Sequence, residues 1–304
     1  LGSSEEACTP VGGCKIFELM AKKHAACHRC TIGCARWVRI EEGPYRMDAQ
    51  GPEYESAGAL GPPCQVSDVK AVCYTNHLCS FYGLDIIPTG ASIAFAMECL
   101  EKGLLSNKDL DGIELTWGNA EALTSMVHKI GKADGAGKLL GLGTRRMAHR
   151  SRHGSEGFAV RVKGLELPMH DARAGFAWAS NYATATRGGC HLHGMTDFYE
   201  TSTDPIPEWG FSGKYTRLSN EGKAEMTRFA QNWAHVLDSL VMCYFATAIL
   251  KPSDFCSLIN APQRAYNWRC GARRKDDFLS DGRPSRQMLK ELVLQDAERG
   301  LYSA

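Results

Sequence analysis

Residues 67–104 read SDVKAVCYTNHLCSFYGLDIIPTGASIAFAMECLEKGL, and they decide the fold class. Apolar positions recur at helical spacing on both sides of Gly83, so the spacing predicts a helix stopped at Gly83, a junction through LDIIPTG, and a second helix from Gly90 to about Lys102. Pro88 and Gly90 punctuate that junction. Outward from this pair the helical pattern persists. A third helix is expected from Asn119 to about Ile130, followed by the glycine-dense GKADGAGKLLGLGTRRMA, read as a turn and a helix running to about His149. FAVRVKGLELP (158–168) alternates as a strand should before Pro168, after which ARAGFAWASNYATAT and the long run from Asn220 to Leu250 are helical again, ahead of a polar C-terminal region.

Toward the N-terminus, CKIFELMAKKHAACHRCTIGCARWVRI (14–40) passes from an apolar helical pattern into a tight cysteine cluster and then a strand-like WVRI. EEGPYRMDAQGPEYESAGALGPPCQ (41–65), rich in Gly and Pro, shows no sustained period and is read as a long loop, a length that often carries function. The expectation is a mainly α chain with few short strands and two domains, 1–160 and 161–304. No internal repeat or low-complexity tract interrupts it.

Bulk properties narrow the function classes. With 44% apolar and 23% charged residues over 304 positions, the chain can bury a sizeable core. Its formal net charge of +1, with Lys and Arg scattered, gives no footprint for nucleic acid. No run of about 18 apolar residues offers a membrane span, and LGSSEEACTP has neither a basic n-region nor an apolar h-region. Thirteen cysteines, an odd number with several inside apolar periodic runs, fit a reducing, cytoplasmic compartment better than a disulfide scaffold. Leu1, directly before a helical pattern, suggests a fragment or a trimmed chain.

The sharpest chemical signal is Cys27-x2-Cys30-x3-Cys34. Three thiolates within eight residues can converge on one face of a cubane, with a fourth ligand arriving from elsewhere. A zinc ribbon would need a second close pair downstream, and no later cysteines stand at C-x2-C spacing. Single cysteines are often small buried hydrophobes, a reading that three at this spacing do not suit. Spacing alone leaves Cys190, Cys243, Cys256 and the remaining cysteines open as the fourth ligand. The glycine-rich GKADGAGKLLGLG is not a nucleotide loop, because no strand precedes it and no G-x4-G-K-[ST] is present.

In order along the chain, the cysteine cluster is followed by GPEYESAGALGPPC (51–64), YGLDIIPTGASIAFAMECLEKG (82–103), DGIELTWGNAEAL (111–123), VKGLELPMHDAR (162–173), ATATRGGCHLHG (183–194) and DSLVMC (238–243). As an ordered set from about residue 14 to about residue 280, the sequence resembles the aldehyde ferredoxin oxidoreductases, tungsten- or molybdenum-containing bis-pterin enzymes. The resemblance implies the second and third domains of that family, which are helical, supply the cluster ligands and close over the pterin, without the N-terminal domain that forms the base of the cofactor. Two family motifs of the form Asp-x-x-Gly-Leu-(Asp or Cys) bind the pterins. The first falls on Ser80 to Asp85, with Ser80 for the leading acid and Gly83, Leu84 and Asp85 retained; the second falls on Asp238 to Cys243, with Val241 and Met242 for Gly and Leu. The resemblance makes Cys243 the fourth ligand of a 4Fe–4S cluster. It also implies catalytic roles for Glu55 or Glu53 and for His191, since oxidising an aldehyde with water needs a base and a carbonyl-polarising donor. Lys163 and Arg173 are candidate contacts for the pterin phosphates.

The expected reaction is aldehyde plus water to carboxylic acid, with electrons passed to ferredoxin or another electron-transfer protein; a homodimer is a further expectation. Two alternatives stand beside it. One is the tungsten subunit of a class II aromatic-ring reductase, acting on an acyl-CoA. The other is a non-catalytic iron–sulfur electron-transfer or structural module, with a zinc-binding domain the more distant case.

Overall fold

The computed structural model describes residue 16 and residues 21–28, 30, 32–150, 154–201 and 215–245, which form two compact units, Leu1–Met169 and His170–Ala304. The structure is mainly helical with a few short strands, as the sequence pattern predicts.

The first unit opens with a three-stranded antiparallel sheet, β1 (Ala21–Ala25), β2 (Ala35–Ile40) and β3 (Met47–Gln50), in that order. Ala25 faces Ala35 across the cysteine loop, and Ile40 faces Met47. Residues 21–25 are therefore strand, where the helical pattern was expected to continue. A short run with few apolar residues fits either period, and here the ladder to β2 decides. Val38, Ile40 and Met47 turn inward onto Ala57 and Cys73.

The stretch 41–65 is not one loop. It contains β3 and a helix, α1 (Tyr54–Leu60), which are set by partners outside the segment and so leave little local period. Packing of α1 depends on glycine at two close approaches: a Cβ on Gly90 would lie 2.2 Å from the Ala59 carbonyl oxygen, and one on Gly58 2.6 Å from Met169 Cγ.

The helix pair that decides the fold is α2 (Val69–Tyr82) and α3 (Ile86–Glu101). Asp68 caps α2 by accepting from the N–H of Lys70 at 2.9 Å and of Ala71 at 3.2 Å, and Gly83, at φ +68°, ends it. The second helix begins at Ile86, not Gly90. Asp85 caps it through the Ile87 N–H, and Pro88 sits in its first turn, where no N–H is required. Next come α4 (Ala120–Lys132), capped by Asn119, then α5 (Ala136–Leu140) and α6 (Thr144–Arg150). Their inner faces bury Ile93, Met97, Leu123, Met126, Leu140 and Met147 in one core. Where a single strand was expected at 158–168 there is a hairpin, β4 (Arg161–Val162) and β5 (Leu165–Glu166). Lys163 and Gly164 between them both have positive φ, 54° and 87°, the backbone a tight two-residue turn needs.

The second unit is built on α7 (Phe176–Thr184), α8 (Asp197–Thr201) and α9 (Lys223–Leu240). Met226 of α9 and Ala177 of α7 are fully buried against each other, and Gln231 donates to Asn181 Oδ1 at 2.9 Å. Among the described residues no single helix is long and apolar enough to cross a membrane; the bent pair α2 and α3, turned by 118°, buries most of its apolar residues in the unit's own core, Phe81 being the exposed exception.

Candidate cluster and cofactor site

Cys27, Cys30 and Cys34 all lie on the loop between β1 and β2, so hydrogen bonding of the two strands brings the ends of the loop together. The Cys30 N–H donates to the Cys27 carbonyl at 3.0 Å, and Gly33 takes φ +57° to turn the chain back. Backbone N–H groups of Gly33 and Ile32 directed at the Cys30 thiol lower its pKa from the ordinary 9.0. Cys27 and Cys34 are exposed and Cys30 partly so.

Among the described residues, the other cysteines of the first unit behave in the opposite way. Burial pushes the thiols of Cys64, Cys73 and Cys79 up to about 12 and that of Cys99 up to about 11. They are inert packing residues, whereas the loop offers accessible thiols, with thiolate-stabilising N–H groups at Cys30. That is the donor chemistry an iron–sulfur cluster takes, although among the described residues no three His, Cys, Asp or Glu side chains are gathered into a finished metal cage. Of the second unit's candidates, Cys243 is exposed just beyond α9, Cys190 is buried, and Cys256 lies outside the described residues.

The two candidate pterin motifs share one backbone form. At the end of α2 the N–H of Gly83 donates to Ser80 O at 3.3 Å and that of Leu84 to Cys79 O at 2.9 Å. At the end of α9 the N–H of Val241 donates to Asp238 O at 3.1 Å and that of Met242 to Leu237 O at 2.9 Å. Gly83 and Val241 occupy the same left-handed position, at φ 68° and 56°. Val241 thus keeps the conformation for which glycine is the easy choice. The difference lies in what stands at the turn: nothing comes within 4 Å of a Cβ built on Gly83, while the Val241 side chain is 83% exposed at the equivalent point. Asp85 is exposed and already caps α3; Asp238 is exposed in the last turn of α9.

Glu55 is half-buried and accepts the Met169 N–H through Oε2 at 2.8 Å, while the neighbouring Tyr54 hydroxyl donates to Met169 O at 2.9 Å. Glu53 is exposed at the start of α1, with Gln50 Nε2 at 3.4 Å from its Oε1. Lys163 is exposed on the β4–β5 turn, and Arg173 forms a forked ion pair with Asp171, its Nε 3.0 Å from both carboxylate oxygens.

In the second unit His191 stacks on His170 at 5.5 Å between ring centroids, His170 on Trp178 at 4.7 Å, and Trp178 on Tyr182 at 5.6 Å. The Tyr182 hydroxyl donates to the His170 carbonyl at 2.7 Å and fixes the middle of the row. His193 instead meets His235 of α9, edge to face at 5.1 Å; burial lowers its pKa, with the charges of His235 and Arg187 acting in the same sense and Asp238 opposing. His170 and His235 carry no local sequence signal that would single them out, because each reaches its partner through the fold, across 21 and 42 positions of chain.

Comparison with known proteins places this geometry in a lineage. A family model described as aldehyde ferredoxin oxidoreductase, domains 2 and 3, matches residues 2–270. The tungsten-containing aldehyde ferredoxin oxidoreductase of Pyrococcus furiosus is 35% identical over 257 residues, covering 83% of this chain and 40% of the relative. That of Thermococcus kodakarensis is 34% identical over 261 residues, covering 86% and 40%. The chain therefore spans about two fifths of the length of these relatives. Among solved structures, the active-site complex BamBC of benzoyl coenzyme A reductase superposes with a TM-score of 0.64 over 95% of this chain and 56% of that one, at 18% identity, a likeness of fold. With the ordered motifs, the helical architecture and the family match in agreement, the chain belongs to the aldehyde ferredoxin oxidoreductase family, in the part described as its domains 2 and 3.

Proposed function

We infer that this chain is the cluster-bearing, cofactor-covering part of a tungsten- or molybdenum-pterin oxidoreductase that converts aldehydes to carboxylic acids, with ferredoxin or a similar carrier as electron acceptor. The observation that carries the reading is the sorting of cysteines. Three thiols are presented on one strand-closed loop with N–H groups directed at Cys30, while four others in the same unit are sealed in the core. Cys27, Cys30, Cys34 and Cys243 would hold a 4Fe–4S cluster. When bound, the metal–pterin centre supplies the two-electron oxidation and the cluster carries electrons outward singly.

The chain's own residues then have defined tasks. The turns at Gly83, Leu84 and Asp85 and at Asp238 and Met242 present backbone groups to the two pterins. Gly83 leaves room for a close approach, and at the second turn the exposed Val241 side chain stands at the equivalent point, where a pterin would have to be met. Lys163 is an exposed cation for a pterin phosphate; Arg173 serves the same end only by exchanging Asp171 for phosphate. Glu55, already a hydrogen-bond acceptor, takes a proton from water in preference to Glu53, and His191, steadied by the ring row, donates to the substrate carbonyl oxygen.

Anaerobic purification of the full-length protein, with elemental analysis for Fe, W, Mo and Zn and an absorption spectrum, tests this. About four irons per chain with absorption bleached by dithionite, plus tungsten or molybdenum, is the expected result. Zinc alone would overturn it, and iron without the heavier metal would favour a non-catalytic electron-transfer module. The fold likeness to the benzoyl coenzyme A reductase complex supports one further reading, reduction of an aromatic acyl-CoA. Turnover of an aromatic acyl-CoA but no aldehyde by the loaded enzyme would select it.

A further inference from the structure

The whole chain is nearly neutral, yet residues 21–40 carry Lys22, Lys23, Arg29, Arg36 and Arg39 with no acidic residue among them. Of these, Lys23, Arg36 and Arg39 are among the described side chains, all three on the two strands that flank the cysteine loop. The segment is the β1–β2 hairpin, whose tip is the cysteine loop and whose β1 is an edge strand of the sheet. Lys23 is exposed and lies over the Trp37 ring, 5.4 Å from its centroid. Trp37 and Arg39 both donate to Asp48 of β3, which answers one of the basic charges and holds the Trp37 ring. His24 and His28 are exposed on the same hairpin. At the tip, between Cys30 and Cys34, the apolar Ile32 side chain is 39% exposed.

We propose that the β1–β2 hairpin is the docking surface for an acidic electron-carrier protein, which seats over Ile32 and is drawn in and oriented by the basic residues around the cysteine loop. The proposal rests on the reading of Cys27, Cys30 and Cys34 as cluster ligands. Small redox encounters combine an apolar centre with a charged rim, and the rim governs the association rate more than the lifetime. Exposed charges of one sign raise that rate by one to three orders of magnitude at low salt, an effect screened over about 8 Å at physiological ionic strength.

The test uses photoreduced full-length holoprotein in a stopped-flow instrument, with either a strongly acidic ferredoxin or a small neutral quinone as oxidant. For the native protein, the second-order rate with ferredoxin is expected to fall about tenfold between low salt and about 0.5 M salt, while the quinone rate stays level. The K22E/K23E variant should lose about tenfold of its low-salt rate with ferredoxin, show little remaining salt dependence, and keep its iron content, tungsten content and quinone rate. An unchanged ferredoxin rate in K22E/K23E would overturn the proposal. So would loss of tungsten or molybdenum with iron retained, which would assign these charges to the anionic cofactor. A native protein holding no iron would react with neither oxidant, and that failure belongs to the reading of the cluster itself.

Discussion

Val241 is the residue whose identity and conformation conflict most. A β-branched side chain at φ 56° is strained, and its 83% exposure returns no packing in compensation. Val241→Gly is expected to stabilise the second unit by about 0.5–1 kcal/mol, the relief of left-handed strain less the added freedom of glycine in the unfolded chain. A higher urea midpoint at unchanged slope would show it; a lower midpoint would mean that the exposed valine makes a contact worth more than the strain. The sequence places Val241 where the resemblance expects glycine, a change that narrows the room for close backbone approach and the range of φ and ψ. The hydrogen bonds from Val241 to Asp238 and from Met242 to Leu237 keep the turn, because the helix end needs its carbonyls satisfied whichever residue sits there.

Between elements, side chains distant in sequence do what local caps do elsewhere. Glu166 of β5 accepts from both the N–H and the hydroxyl of Thr144, at 2.6 and 2.8 Å, at the start of α6. Glu200 of α8 accepts the Ala177 N–H in the first turn of α7 and pairs with Lys223 of α9, both partners of that pair being almost wholly buried. Lys223→Met should therefore cost about 3–5 kcal/mol in the second unit, since it strands a buried carboxylate, whereas Lys223→Met combined with Glu200→Gln should recover most of the loss. Calorimetry of the two variants separates these outcomes, and equal destabilisation in both would show that the pair contributes through packing alone. The caps at Asp68 and Asn119 belong to the kind of signal a sequence displays, a short polar residue just before an apolar period. Glu166 and Glu200 do not, standing 22 and 23 positions from the N–H groups they serve.

At the scale of the whole molecule, the division of cysteines into loop and core sets a pH response. The thiols of Cys64, Cys73 and Cys79 have their pKa raised by burial from 9.0 to about 12, so the folded state holds their protons more tightly than the unfolded state does. Stability from these groups is complete below pH 9 and is lost as pH rises from 9 toward 12, by about 1.4 kcal/mol per pH unit for each thiol at most. Urea midpoints of the first unit should fall between pH 8 and pH 10.5, and replacing the three cysteines by Ala should flatten that fall; a level midpoint in the parent chain would contradict the burial argument. By itself the sequence determined the helical class, the ends of α2 and α4, the cysteine loop and the ordered motifs, because each is written in spacing and residue type within a short window. Only the tertiary structure decided that residues 21–25 pair as a strand, that 41–65 folds into β3 and α1, that 158–168 doubles back, and that His170 steadies His191. Those outcomes depend on partners far away in the chain, and a ladder, a close glycine contact or a ring stack has no energy until the partner arrives.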